Sequence, residues 1–132
     1  MFSYVARPHA MAIGNAVLDI VLAPGFIEGV ARKGLFARQR LAELRDRRGA
    51  IIEEVRGEGL MIGLKVKVPP QDFAEAARAQ KLLTIPAGDG VVRLLPPLTV
   101  SEEEIAEAVR RLDAACAALE DKFVAPVKET AA

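Results

Sequence analysis

Arg93 is the residue of this 132-residue chain with the clearest chemical demand. It is the one charge in Val91-Val92-Arg93-Leu94-Leu95. An arginine inside a short apolar strand is costly unless it is paired, so it needs an acid, either a protein carboxylate or a ligand anion. Its planar fork suits two-pronged capture of a carboxylate. The other reactive types are scarce. His9 is the single histidine; it lies beside no cysteine, and Ser3 is the only serine near it, so a hydrolytic triad has one possible centre and poor company. Cys116 is the single cysteine, which excludes an internal disulfide and a cysteine-clustered zinc site. It falls on the apolar stripe of the last expected helix, where a thiol is buried and inert.

Two further patterns reduce to structure. Gly57-Glu58-Gly59-Leu60-Met61-Ile62-Gly63 places its third glycine one residue too late for G-x-G-x-x-G and lies between two strands, so a tight hairpin is expected rather than a dinucleotide loop. Arg38, Arg40, Arg45, Arg47 and Arg48 form a basic run, interrupted by Glu43 and Asp46 and without interleaved aromatics, which reads as a solvated helix face. Eighteen basic residues balance eighteen acidic ones, so nothing draws the whole chain to nucleic acid or to an anionic membrane. The start MFSYVARPHAM lacks the charged-then-apolar form of a signal peptide. The apolar runs are shorter than a membrane span. A reducing, cytoplasmic setting fits these features.

The elements that must position Arg93 follow from periodicity. A first helix is expected from Pro8 or His9 to Leu22, rich in the small residues Ala10, Ala12, Gly14 and Ala16, and broken by Ala23-Pro24-Gly25. A second fits Phe26 to Arg47, with Phe26, Val30, Gly34, Ala37, Leu41 and Leu44 on one face and Gly49 as a left-handed cap. Ile51–Arg56 and Leu60–Val68 read as strands of an antiparallel hairpin turning at Gly57-Glu58-Gly59. Asp72 has the form of a cap for a third helix reaching about Gln80. Leu82–Pro86 and Val91–Leu95 read as strands around the turn Ala87-Gly88-Asp89-Gly90. A last helix starts at Ser101, with Glu104 completing a capping box and Val100 stapled to Ile105; its stripe is Ile105, Val109, Leu112, Cys116 and Leu119. The order α-α-β-β-α-β-β-α gives an α+β fold, a small antiparallel sheet with helices mainly on one face. The tail from Lys122 is expected to fray.

Three segments, taken together, resemble a known family: Ala10–Asp19, Glu54–Lys65 and Leu82–Leu98, the last containing Arg93-Leu94-Leu95-Pro96-Pro97. In order and spacing they are similar to the C-terminal region of the acetylornithine branch of the class III pyridoxal-phosphate aminotransferases. The resemblance covers about Pro8 to Leu119. It implies an aminotransferase small C-terminal domain over residues 9–121, whose first helix is the interdomain connection, preceded by a divergent start over 1–8 and followed by a tail over 122–132. For the intact enzyme it implies transfer of the amino group of N-acetylornithine to 2-oxoglutarate in arginine biosynthesis, by a homodimer with pyridoxal 5'-phosphate at the domain and subunit interface. The arginine of the family's R-x-x-P-P segment matches Arg93, which would bind the substrate α-carboxylate.

The departures matter as much. The family's Schiff-base lysine lies upstream of the matched region, and Lys33, Lys65, Lys67, Lys81, Lys122 and Lys128 all fall outside that context. Members usually approach the first helix through Gly-Thr-Thr-Phe-Gly-Gly-Asn-Pro, whose threonine reaches the partner subunit's cofactor phosphate. Here Phe2 to Pro8 retains only the proline, the form of a truncated or misframed start. The expectation is therefore a fragment with the small-domain fold, the large domain or a second subunit as its partner, no cofactor or catalytic residue of its own, and little activity alone. The alternative is a stand-alone α+β interaction or small-acid-binding module built on Arg93 and the sheet.

Overall fold

A computed structural model describes residues 7–124. Most of the divergent start assigned to residues 1–8, Ser3 included, and the tail beyond Val124, including Lys128, lie outside them. The elements follow the expected order: α1 (Pro8–Val21), α2 (Phe26–Arg47), β1 (Ile52–Glu58), β2 (Met61–Val66), α3 (Pro70–Ala79), β3 (Ile85–Ala87), β4 (Val91–Leu94) and α4 (Glu102–Phe123). All strand pairs are antiparallel, and the sheet order is β1-β2-β4-β3.

Strand alternation divides the sheet into two faces. Ile52, Ile62, Leu64, Val66 and Val92 point to one side and are buried there with Ala37, Leu41 and Leu44 of α2, Phe73 of α3 and Ile105, Val109, Leu112, Cys116 and Leu119 of α4. That cluster is the core. The expected stripe of α4 is wholly buried, with Ala115 added. On α2 the buried positions are Gly34, Ala37, Leu41 and Leu44, whereas Phe26 and Val30 at its start are half-buried. Among the described residues no helix covers the other face of the sheet, which is open. α1 buries none of its residues; it meets α2 at a 70° bend. No single helix among the described residues is long and apolar enough to cross a membrane.

Several local expectations are corrected. The hairpin turns at Gly59-Leu60, since Glu58 already pairs with Met61; Gly57 lies inside β1 at φ +131°, where a Cβ would meet the Met61 carbonyl oxygen at 2.1 Å. Leu60 is therefore the buried tip of the turn rather than the first strand residue. Gly49 is not left-handed: the cap residue after α2 is Arg48, whose carbonyl accepts the N–H groups of Ile51 and Ile52 at 2.9 Å each, so the chain passes directly into β1. Asp72 does not cap α3. Pro69 occupies the cap position and Pro70 begins the helix, where its missing N–H costs nothing. At α4 the Ser101 hydroxyl accepts the Glu104 N–H at 3.1 Å, but the Glu104 carboxylate bonds the Ser101 hydroxyl at 3.2 Å rather than the backbone. α4 runs to Phe123, so Lys122 and Phe123, expected to fray, are helical.

Gly34 fixes how α2 seats on the hairpin. A Cβ there would lie 2.5 Å from the Gly59 carbonyl oxygen, so only glycine lets the helix backbone come this close. Arg38 Nη1 donates to that same oxygen at 3.1 Å.

Candidate functional site

The open face of the sheet holds Arg93. Registers place Arg56 of β1 opposite Gly63 of β2, Gly63 opposite Arg93 of β4, and Arg93 opposite Ile85 of β3. One row thus runs Arg56–Gly63–Arg93–Ile85 across all four strands, and the glycine lies between the two arginines. A Cβ at Gly63 would lie 3.0 Å from Val91 Cγ1, so the Val91 side chain reaches over the glycine. The next row is Glu54–Lys65–Val91–Ala87.

Arg93 itself is exposed, and among the described residues no carboxylate lies within ion-pair distance of it. The structural ion pair allowed by the sequence is absent there. The physical reason is the single-sided sheet: the apolar neighbours Val92 and Leu94 turn inward to the core while Arg93 turns to solvent, so its charge carries no burial cost. Arg56, by contrast, is held by Glu54, Nε to Oε2 at 2.7 Å. The Lys65 ammonium donates to the Asp89 carbonyl, which Asp89 and Gly90 present through left-handed backbone at φ +62° and +70°. Around these charges the open face also carries the exposed apolar side chains of Met61 and Ile85. An anion with a hydrocarbon body is the ligand such a face suits: a free guanidinium for its carboxylate and apolar side chains for the rest.

The remaining reactive residues fall elsewhere. His9 is exposed on α1. Cys116 is fully buried, and burial pushes its thiol up to about 12, away from a reactive thiolate. No group of three potential metal ligands occurs among the described residues. The basic run is a solvated face in part only. Arg48 turns back onto α4, Nε to Asp113 Oδ1 at 2.6 Å and Nη1 to Glu120 Oε2 at 2.8 Å; the Asp113 hydrogen bond leads in raising its pKa. Those acids are 65 and 72 residues away in the chain, so no local pattern announced the pair. The Arg56–Gly63–Arg93 row was equally hidden, because register is a tertiary property.

The aminotransferase class-III family profile matches residues 3–116 of the chain. Acetylornithine aminotransferase of Rhodobacter capsulatus is 56% identical over 118 residues, covering 89% of this chain and 30% of that protein. The Agrobacterium fabrum acetylornithine aminotransferase is 52% identical over 120 residues, again 30% of its length. Among solved structures, N-acetylornithine aminotransferase from Stenotrophomonas maltophilia superposes with a TM-score of 0.78 at 33% identity, over 87% of this chain and 32% of that one. Lysine aminotransferase from M. tuberculosis, in its internal aldimine form, gives 0.73 at 32% identity, over 80% and 25%. The chain spans about a third or less of each of these proteins.

Proposed function

The chain belongs to the class-III aminotransferases, and on that premise we propose that it is the small C-terminal domain of an acetylornithine-type enzyme, over residues 9–121. Arg93 is its contribution to the active site. The observation that carries this reading is an arginine standing free on an open sheet face, and its segment Arg93-Leu94-Leu95-Pro96-Pro97 resembles the family's R-x-x-P-P. In the completed enzyme Arg93 holds the α-carboxylate shared by N-acetylornithine and 2-oxoglutarate and so orients both substrates at one centre. The intact enzyme is then a cytoplasmic, pyridoxal-phosphate-dependent homodimer of arginine biosynthesis. Its large domain covers the open face and α1, whose exposed Met11, Ile13, Val17, Leu18 and Ile20 form an apolar surface of the kind that marks an interface.

The described residues of this chain do not themselves fit the cofactor. The Lys65 ammonium is taken by the Asp89 carbonyl and that of Lys122 by Asp72, while Lys33, Lys67 and Lys81 lie outside the sequence context of the family's Schiff-base lysine. No catalytic step is assigned to the isolated chain, and it should form no borohydride-fixable adduct with pyridoxal phosphate at any one lysine.

The reading is tested in an enzyme completed with a large domain from a relative. Arg93→Lys should lower kcat/KM for the amino donor and the oxo acid together, by on the order of 2–4 kcal/mol, as when a charged two-pronged contact is lost. Its melting temperature should stay near that of the parent. Unchanged kinetics would remove Arg93 from the site.

A further inference from the structure

On the core side of the strand that carries Arg93, the packing between sheet and α4 is incomplete. A half-open cleft of about 140 Å³ remains there, lined by Leu41 of α2, Ile62 of β2, Leu94 of β4 and Glu104, Ala108 and Val109 of α4 among others. Protein interiors rarely leave voids larger than a water molecule, and the atoms around one forfeit dispersion contacts. Glu104 is the one ionisable residue in the lining, so the walls offer water few polar partners. An aliphatic cavity of roughly 150 Å³ is large enough for a benzene ring.

The mouth of the cleft is acidic. A shallower groove continues from it over Glu103, Glu104 and Glu107. Glu107 is already engaged by Arg110 and Arg111, and Arg111 also donates to the Lys81 carbonyl at 2.8 Å. Glu104 bonds only the Ser101 hydroxyl, and among the described residues neither Glu103 nor Glu104 has a cation within ion-pair distance. Complementing the positive N-terminus of α4 accounts for acids in its first turn, but it does not account for the void beside them. We propose that this cleft binds a small apolar primary amine, with its ring or branched hydrocarbon in the void and its ammonium on Glu104. The site is separate from the open face and independent of the role given to Arg93.

Benzylamine, benzyl alcohol and benzoate share a ring of suitable size and differ in charge. Each is titrated into the isotopically labelled chain and followed by amide chemical shifts. All shifts should saturate and cluster at Leu41, Leu94 and Ala108. Benzylamine should bind roughly two- to fivefold tighter than benzyl alcohol, the range of an exposed ion pair, and benzoate should bind weakest. Glu104→Gln keeps the helix start intact and should bring the amine down to the alcohol. Ala108→Phe fills the void and should abolish all three; if its circular dichroism shows a lost fold, Ala108→Met serves the same purpose. Absence of saturable benzylamine binding, or binding that survives the filled cleft, overturns the site. Equal affinity for amine and alcohol in the unaltered chain, or an amine preference that persists in Glu104→Gln, overturns the ammonium assignment.

Discussion

Replacing Gly34 by alanine should destabilise the domain, although the same change at Gly29, in the same helix, should stabilise it. In a helix interior alanine is favoured over glycine by about 0.5–1 kcal/mol. At Gly29 nothing opposes that gain, since the nearest atom to a new Cβ is the flexible end of Arg32 at 3.7 Å. At Gly34 the Cβ would meet three backbone atoms of Gly59, the oxygen at 2.5 Å, the carbonyl carbon at 2.7 Å and Cα at 2.9 Å. Backbone at a hairpin tip cannot swing aside as a side chain does, so helix and hairpin must separate. Overpacking of this kind costs about 1–3 kcal/mol, and the separation also strains the 3.1 Å bond from Arg38 to the Gly59 carbonyl, worth about 1 kcal/mol. Setting the helix gain against both leaves Gly34→Ala about 1–3 kcal/mol less stable, while Gly29→Ala is about 0.5–1 kcal/mol more stable. For a domain of this size that separates the two melting temperatures by roughly 5–15 °C, readable by circular dichroism at the helical band and checked by urea titration. If Gly34→Ala melts at or above the parent, the close approach of α2 to the hairpin is wrong.

The other predictions concern the α2–α4 seam and the charges on α4. Arg48→Met removes its two ion pairs across the seam and should cost about 1–2 kcal/mol; Arg40→Met, which among the described residues loses the exposed pair with Glu43 and a stack over the Phe36 ring, should cost under about 1 kcal/mol, and equal losses in urea melts would contradict the structural role of Arg48. Cys116 should resist thiol-reactive dye at neutral pH in the native chain and label only as the chain unfolds, because burial pushes its thiol up to about 12; stoichiometric labelling within the mixing time would count against this packing. The hydrogen bonds from Arg110, then Arg111, hold the Glu107 carboxyl below its ordinary value of 4.5. A lowered folded-state pKa gives stability that is present above the unfolded value and lost as pH falls through the folded one, so the loss belongs to the acid side of 4.5. Glu107→Gln should therefore flatten the acid limb of the melting-temperature profile without altering its neutral plateau; an unchanged acid limb would remove Glu107 from that linkage.

Periodicity, caps and turn residues in the sequence were enough to determine the order of elements, the fold class and the buried stripe of α4. Ser101 before an acidic turn, the Ile105-to-Leu119 spacing and the alternation of Leu64, Val66 and Val68 are local signals, and each operates within one or two turns of chain. Arg93 was legible as an arginine in need of an anion for the same reason. What the sequence left open was set by contacts between distant segments. Whether Arg93 is buried and paired or free depends on which face of β4 meets the core, and that follows from the registers Gly63↔Arg93 and Arg93↔Ile85. The local signals of Gly49 and Asp72 were overridden because the chain at Arg48 bonds straight into β1 and because Pro70 takes the first helical position. The seating of Gly34 on Gly59, the bridge from Arg48 to Asp113 and Glu120, and the cleft beside Ala108 have no sequence signature, because close approach, pairing and void volume arise only when separate elements are packed together.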